Sequence, residues 1–293
     1  MRAASNWIDY ELIDASSGER LERWGDIILI RPDPQIIWNT PRSHPLWNKA
    51  HAHYLRSNTG GGRWQEYRPV PEMWKIAYGS LTFQLKTMGF KHTGIFPEQA
   101  VNWDFVQNKI KAAKRPIKVL NLFGYTGAAS LACASAGAEV CHVDASKGMV
   151  AWAKENAGAS GLSDKPVRWL VDDCVKFVQR EQRRGNVYDG IIMDPPSYGR
   201  GPGGEVWKLE EQLYPLVELC VPLLSKNPLF FLLNSYTTGL SPSVMAYLLG
   251  TLVKEKFGGA VSADEIGLPV TASGLVLPCG NTAIWQSAGD EMI

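Results

Sequence analysis

No apolar stretch in this chain approaches the roughly 20 residues needed to cross a bilayer, so no membrane span is expected. The opening residues, MRAASNWIDYELID, carry charges and no apolar core segment, and are not read as a signal peptide. Cysteine is sparse and odd in number, five in all, without CxxC spacing and mostly set in apolar runs (Cys133, Cys141, Cys220). That usage fits reduced thiols in a cytoplasm and argues against zinc or a disulfide framework. The five histidines show no ligand spacing, and His51 and His53 stand in a polar segment that reads as solvated. No metal is therefore expected. A net charge of +1 gives no general basic field, so contact with a polyanion would have to come from a local patch. Internal repeats and low-complexity tracts are lacking as well. What remains is ordinary globular composition, 45% hydrophobic and 20% charged, over 293 residues: room for one large domain and a smaller one.

The most informative stretch runs from Lys118 to Ser146, KVLNLFGYTGAASLACASAGAEVCHVDAS. Val119 to Phe123 reads as a buried parallel strand. A glycine turn follows, Gly124-Tyr125-Thr126-Gly127, then an Ala-rich helix and a second strand, Val140 to Val143, ending on Asp144, twenty residues after Gly124. Strand, glycine turn, helix, strand and acid is the plan of a nucleoside-binding half of a doubly wound α/β sheet. The glycines are expected to let backbone approach a ligand, and Asp144 to accept from both ribose hydroxyls. This much fits a dinucleotide and S-adenosylmethionine equally well.

Later residues separate the two. Asp172-Asp173-Cys174 closes a third apolar run, where an acid can accept from the amine of an adenine ring. YDGIIMDPPSYGRG, Tyr188 to Gly201, is a fourth buried strand ending in Asp194-Pro195-Pro196-Ser197-Tyr198. The proline pair forbids a helix or a central ladder and so makes a rigid turn with carbonyls pointing one way. Tyr198 beside it can stack on a flat substrate. A nicotinamide oxidoreductase needs the glycine turn and Asp144 but has no use for DPPSY. Helices are expected over Pro97 to Ala113, Ser146 to Ser160, Val175 to Arg184, Leu209 to Leu224 and Ser243 to Lys256. Pro228 to Ser235 reads as a fifth strand, and Ala260 to Ile266 with Gly274 to Trp285 as a terminal strand pair.

Ahead of this core, Tyr10 to Ile13, Leu21 to Trp24 and Ile27 to Ile30 read as a small antiparallel β unit. Residues 39–75 then hold Arg42, Lys49, Arg56, Arg63, Arg68 and Lys75 against only Glu66 and Glu72, with Trp47, Tyr54, Trp64, Tyr67 and Trp74 interleaved and three glycines, Gly60 to Gly62. Guanidinium groups on phosphates and aromatics on unpaired bases are the usual grip on single-stranded RNA, so RNA contact is expected here.

From about Lys91 onward the chain resembles the class I S-adenosylmethionine-dependent methyltransferases. More narrowly, it resembles the bacterial 23S rRNA subfamily that includes the C5-cytosine and N7-guanine enzymes. The matching pieces are HTGIFPEQ (His92 to Gln99), VLNLFGYTGAASLA (Val119 to Ala132), VDAS (Val143 to Ser146), KENAGASGL (Lys154 to Leu162), VDDCVKF (Val171 to Phe177) and IIMDPPSYGRG (Ile191 to Gly201). The resemblance implies a Rossmann-like, seven-stranded methyltransferase sheet over 91–293, with residues 1–90 as a β-rich substrate-recognition subdomain. It implies S-adenosyl-L-methionine as cofactor, held by Phe96, Gln99, Asn121, Phe123, Gly124, Tyr125, Thr126, Gly127, Asp144, Ala145, Ser146, Asn156, Asp172, Asp173, Cys174 and Asp194. Catalysis would fall to Asp194, Pro195, Pro196 and Tyr198, on an RNA base, with rRNA the leading substrate, in the cytoplasm.

The acceptor atom is narrowed by what is missing. Carbon 5 of cytosine becomes nucleophilic only after a thiolate adds to carbon 6. The C5-cytosine relatives carry that cysteine in a Ser-Cys-Ser context after the fifth strand, where this chain reads Asn234-Ser235-Tyr236-Thr237-Thr238. Cys279 would have to reach the site from another direction. Adenine-amine enzymes usually carry the aromatic directly after the prolines, and here Ser197 intervenes. A nitrogen acceptor on another base is the expectation. A protein or small-molecule substrate, and an inactive RNA-binding protein of the same fold, are the alternatives.

Overall fold

The computed structural model describes residues 1–57, 61–200, 206–237 and 239–288, so Gly60, Gly201 and Thr238 of the motifs above lie outside the described residues. The chain divides into two compact units, Met1–Val101 with Ile266–Cys279, and Asn102–Glu265 with Gly280–Ile293.

In the first unit, β1 (Arg2–Ala3) pairs in parallel with residues Ile266 and Gly267. Strands β2 (Tyr10–Ser16), β3 (Glu19–Trp24), β4 (Ile27–Pro32), β5 (Ala52–Arg56) and β6 (Gly62–Glu66) form one sheet in sequence order. All its pairings are antiparallel except β4 with β5. β7 (Trp74–Tyr78) and β8 (Leu81–Leu85) make a separate hairpin. The polar segment 39–75 thus contributes β5, β6 and the start of β7. Inside the sheet, Arg31 forks onto the fully buried Glu22, with Nε–Oε2 at 2.6 Å and Nη2–Oε1 at 2.7 Å, and the Tyr10 hydroxyl donates to Glu22 Oε1 at 2.8 Å. A buried charge is tolerated when it is paired and its lone pairs are filled in this way.

The second unit is built on parallel strands and crossover helices. These are α1 (Ala100–Ala113), β9 (Lys118–Leu122), α2 (Ala128–Ser135), β10 (Glu139–Asp144), α3 (Lys147–Ala159), β11 (Val167–Val171), α4 (Cys174–Arg184) and β12 (Gly190–Met193). After a short hairpin, β13 (Tyr198–Arg200) with β14 (Val206–Lys208), come α5 (Leu209–Cys220), β15 (Phe230–Ser235), α6 (Pro242–Leu249), β16 (Ala260–Pro269) and β17 (Val276–Gln286). The mixed sheet has the strand order β1-β16-β17-β15-β12-β9-β10-β11: the seven strands that the resemblance implied, with β1 added at the edge as an eighth, and β17 runs antiparallel to β15. Helix starts follow local chemistry. Ser146, Asp173 and Ser241 each turn an oxygen back onto a backbone N–H of the first turn, and Pro242 stands at the first position of α6, where its missing N–H costs nothing. α4 ends on Gly185 in the left-handed conformation (φ 68°). One face of the sheet, with Leu120, Val143, Met193, Phe231 and Trp285, packs against Phe177, Leu216 and Met245 of α4, α5 and α6.

Candidate active site

Strand register decides where the motif residues meet. Leu122 pairs with Val143 on one side and Met193 on the other, and Met193 pairs with Leu233. The residues one step beyond, Phe123, Asp144, Asp194 and Asn234, therefore stand in one row at the carboxyl edge of the sheet. Val171 pairs with Asp144, which brings Asp172 to the same edge. Strand order reverses between β9 and β12, and at such a switch point open α/β sheets take ligands. A cleft of about 350 Å³ opens at the opposite edge, lined by Lys118, Glu139, Val167 and Arg168 among others. It lies at the amino ends of the strands and has none of the row's groups.

The glycine turn is tightly wound. Phe123 and Tyr125 both hold positive φ, 56° and 50°, and Gly127 follows at 88°. Two non-glycine residues in the left-handed region cost about 1 kcal/mol each, and such strain gathers at functional sites. Asn156, fully buried, donates from Nδ2 to the Thr126 carbonyl at 2.9 Å and holds the turn from beneath. Asn121, also buried, donates to Ser130 Oγ at 2.8 Å, and Ser130 Oγ meets His142 Nδ1 at 2.9 Å. Both asparagines face inward. They support the turn rather than reach past it.

Packing by itself requires glycine at both positions. A Cβ on Gly124 would lie 2.4 Å from the imidazole of His142, and one on Gly127 would lie 2.8 Å from Ala153 Cβ on α3. The reason is the inward tilt of the turn, which lays its backbone on the second strand and third helix. His142 is buried with no hydrogen-bond partner at Nε2, and burial pushes its pKa down to about 4. Motif matching alone could not reveal His142, because its role comes from the neighbouring strand.

Asp144 is half-buried at the tip of β10. Its two carboxylate oxygens accept from Tyr125 N–H (2.9 Å) and Ser146 N–H (2.8 Å). Burial nevertheless raises its pKa, against the lowering effect of those two donors. A carboxylate short of donors, one lone pair open on each oxygen, is what a vicinal ribose diol satisfies. Ala145 and Ser146 are exposed beside it. Asp173 is exposed and caps α4 through Lys176 N–H at 2.8 Å, Asp172 pairs with Arg180, and the thiol of Cys174 is turned into the core. Of these three, Asp173 is the residue best placed to present an acceptor to solvent.

Asp194 follows β12 and accepts from Asn234 Nδ2 at 3.0 Å. Pro195 is buried, Pro196 exposed, and Ser197 Oγ accepts from the Thr237 hydroxyl at 2.7 Å. The Pro196 carbonyl accepts from the Trp207 indole at 2.6 Å. Trp207 also packs on Phe123, ring centroids 5.7 Å apart, and so joins the proline turn to the glycine turn. Sequence reasoning missed Trp207; its only signal was a bulky aromatic shortly after the motif. Tyr198 is 53% exposed.

Phe96 and Gln99 belong to the first unit, where Phe96 packs edge-on to His92 and its carbonyl accepts from Gln99 N–H at 3.0 Å. Their segment buries two polar atoms without a protein partner, Thr93 Oγ1 and Glu98 Oε2. The interleaved aromatics of residues 39–75 are largely packed away. Trp47 and Tyr54 are buried, Trp47 donating to Asp14 Oδ2, while Trp64 donates to the Met88 carbonyl and Trp74 is half-buried. Only Tyr67 among them is exposed, since the others supply the core this small β unit needs. Arg42 stacks on Trp47 and pairs with Glu19. Arg56, Arg63 and Arg68 remain exposed.

Comparison with known proteins agrees with that geometry. The model of the S-adenosylmethionine-dependent methyltransferase family matches residues 46–227, and the chain belongs to this family, whose cofactor is S-adenosylmethionine. A crystal structure of the SAM-dependent methyltransferase from Agrobacterium tumefaciens is 39% identical and superposes with a TM-score of 0.92, over 97% of this chain and 92% of its own. A Streptococcus mutans structure, 20% identical, gives a TM-score of 0.71 over 96% of this chain and 76% of its own, which bears on the fold alone. Among curated relatives, ribosomal RNA large subunit methyltransferase K/L of Shewanella sp. strain ANA-3 is 33% identical over 159 residues, 53% of this chain. The match spans 22% of that relative's length, so the two share one segment rather than a whole architecture. No described helix is long and apolar enough to cross a membrane, and no group of metal-ligating side chains occurs among the described residues.

Two outcomes test this account of the turn. Gly124→Ala should destabilise the protein by about 2 kcal/mol or more through overpacking against His142, and most of that cost should vanish in the His142→Ala background. A penalty unchanged by His142→Ala, measured by chemical denaturation, would mean the glycine answers to something else. Second, because His142 stays neutral down to pH about 4 when folded but takes up a proton near 6.5 when unfolded, the unfolded state binds more protons between those values. Stability is therefore lost as pH falls through that window, by at most about 1.4 kcal/mol per pH unit from this group. His92, pushed down to about 4 by burial and by Arg31, acts in the same sense. Melting curves from pH 7.5 to 4.5 should show a shallower decline for His142→Ala than for wild type.

Proposed function

We propose that this chain methylates a nitrogen of an RNA base, with ribosomal RNA as substrate class, in the cytoplasm. The observation that carries the reading is a fixed carboxylate, Asp194, level with the glycine turn, in a chain whose cysteines are all withdrawn. S-adenosylmethionine supplies an electrophilic methyl group and departs as a neutral thioether, so the protein's task is to align the acceptor and receive its proton. Asp194 and the Pro195 carbonyl would accept the hydrogens of the attacking nitrogen, and Tyr198 would stack on the base. The prolines keep that turn rigid. Asp144 would hold the ribose and Asp173 the adenine amine.

Carbon 5 of cytosine is disfavoured by the state of the thiols. All five cysteines are buried. Burial pushes Cys141 up to about 11 and raises the other four further still, Cys279 included, whose thiol donates to the Leu277 carbonyl. None is the exposed, activated thiolate that the chemistry requires. The name of the Shewanella relatives supports ribosomal RNA. The exposed Arg56, Arg63 and Arg68 offer cations to phosphates in the first unit, which would serve substrate recognition through charge, with Tyr67 the one aromatic of the segment open for stacking.

Asp144→Ala should weaken S-adenosylhomocysteine binding by about 2 kcal/mol in calorimetry, since it removes two charge-assisted hydrogen bonds. Asp194→Ala and Tyr198→Ala should instead depress turnover and leave that affinity near wild type; the reverse pattern would exchange the roles assigned to the two carboxylates. Replacing Arg56, Arg63 and Arg68 together by Ala should weaken RNA binding and reduce the salt slope by about one for each phosphate no longer neutralised, cofactor affinity being unaffected. Unchanged RNA affinity and salt slope would make the segment a structural loop and shift the substrate towards a protein or small molecule.

A further inference from the structure

Behind Asp194 lies a chain of polar side chains that no motif explains. Asn102 Nδ2 donates to Thr282 Oγ1 at 3.1 Å, the Thr282 hydroxyl donates to Asn234 Oδ1 at 2.7 Å, and Asn234 Nδ2 donates to Asp194 Oδ1 at 3.0 Å. Three elements contribute, α1, β17 and β15, and all four residues of the line belong to the second unit. Asn102, Thr282 and Asn234 are 3%, 1% and 1% exposed, so each is sunk in the core where an apolar side chain of the same size would carry no desolvation cost.

The direction of every bond is dictated from one end. An ionised carboxylate only accepts, so the amide nitrogen of Asn234 must face Asp194 and its oxygen must face Thr282. Thr282 then has to donate its single hydroxyl proton forward and accept from behind, which turns the nitrogen of Asn102 towards it. All three donors thus point at Asp194. Hydrogen bonds aligned head to tail in a low-dielectric interior polarise one another. An amide does not pass a proton along such a line, so this is no proton wire. It holds Asp194 by Oδ1 and so fixes the direction in which the carboxylate faces the sheet edge.

We infer that Asn234, Thr282 and Asn102 are positioning residues for methyl transfer, setting the orientation of Asp194 from the core. The inference rests on the reading of Asp194 as the acceptor-side carboxylate. Thr282 acts on Asp194 through the Asn234 amide: the carboxylate fixes which end of that amide it meets, and the Thr282 hydroxyl, bonded to the other end, holds the amide in place. Thr282→Val keeps the volume and removes both hydrogen bonds, so that the Asn234 oxygen loses its donor and the amide is no longer held from the core.

The test is transfer of labelled methyl from S-adenosylmethionine to ribosomal RNA purified from cells lacking the protein, using the full chain. At saturating cofactor and RNA, Thr282→Val should lose about ten- to a hundredfold in kcat. Its S-adenosylmethionine affinity should stay within about twofold of wild type, and Thr282→Ser should restore the rate. A Thr282→Val enzyme with wild-type kcat overturns the inference, as does a rate loss that Thr282→Ser shares. If Thr282→Val does not fold, Asn102→Ala, which removes the last donor only, should give a smaller loss in the same parameter, and an unchanged kcat would again overturn it. If wild type transfers no methyl to this RNA, the substrate reading fails on its own. The relay is then decided by NMR of the Asn234 side-chain amide in the complex with S-adenosylhomocysteine. That resonance should move in both Asp194→Ala and Thr282→Val; a resonance indifferent to Thr282→Val shows that no relay reaches Asp194.

Discussion

Everything at the carboxyl edge depends on the parallel register of four central strands. Leu122, Val143, Met193 and Leu233 lie in one line across the sheet, each locked by ladder hydrogen bonds and by burial on both faces. A slip of one residue in any strand would send its side chains to the opposite face, and bury the group that should stand at the edge. Because register holds, the residue after each line member emerges at the same height, and Phe123, Asp144, Asp194 and Asn234 become neighbours although their positions in the chain are far apart.

The two turns on that edge are braced against each other and against the core. Two non-glycine residues hold strained left-handed conformations in the first turn, and strain of that kind survives only where surroundings over-determine it. Here the surroundings are explicit. Asn156 ties Thr126, His142 fills the space under Gly124, Ala153 the space beside Gly127, and the Trp207 indole bridges Phe123 and the Pro196 carbonyl. The result is a preorganised cradle, which is what methyl transfer asks for, since the reaction needs alignment more than it needs acid or base strength.

Two buried polar networks differ in where they end. Glu22 and Arg31 with Tyr10 make a closed, fully bonded cluster inside the first unit. The Asn102–Thr282–Asn234 line runs instead from the core to the functional edge, and its last member is Asp194. A closed network contributes structure alone. A line that terminates on a carboxylate at that edge carries the order of the core to a group with chemistry of its own.

The sequence by itself determined the alternation of strands and helices in the second unit, the glycine turn, the acids at strand ends and the proline turn, because each is a local signal: hydrophobic period, a breaker, a cap. It also determined which chemistry was disfavoured, by having no cysteine after the fifth strand. Only the tertiary structure decided what the motif residues are for. Gly124 and Gly127 answer to His142 and Ala153, Cys174 turns into the core, Asn121 and Asn156 face inward, and most aromatics of residues 39–75 fill the small unit's interior. Trp207 and the residues behind Asp194 were invisible beforehand, since Asn102, Asn234 and Thr282 are more than a hundred positions apart at their extremes and carry no pattern along the chain. Local chemistry is written in neighbouring residues, whereas a hydrogen-bonded line through a core exists only once packing has brought its members within about 3 Å of one another.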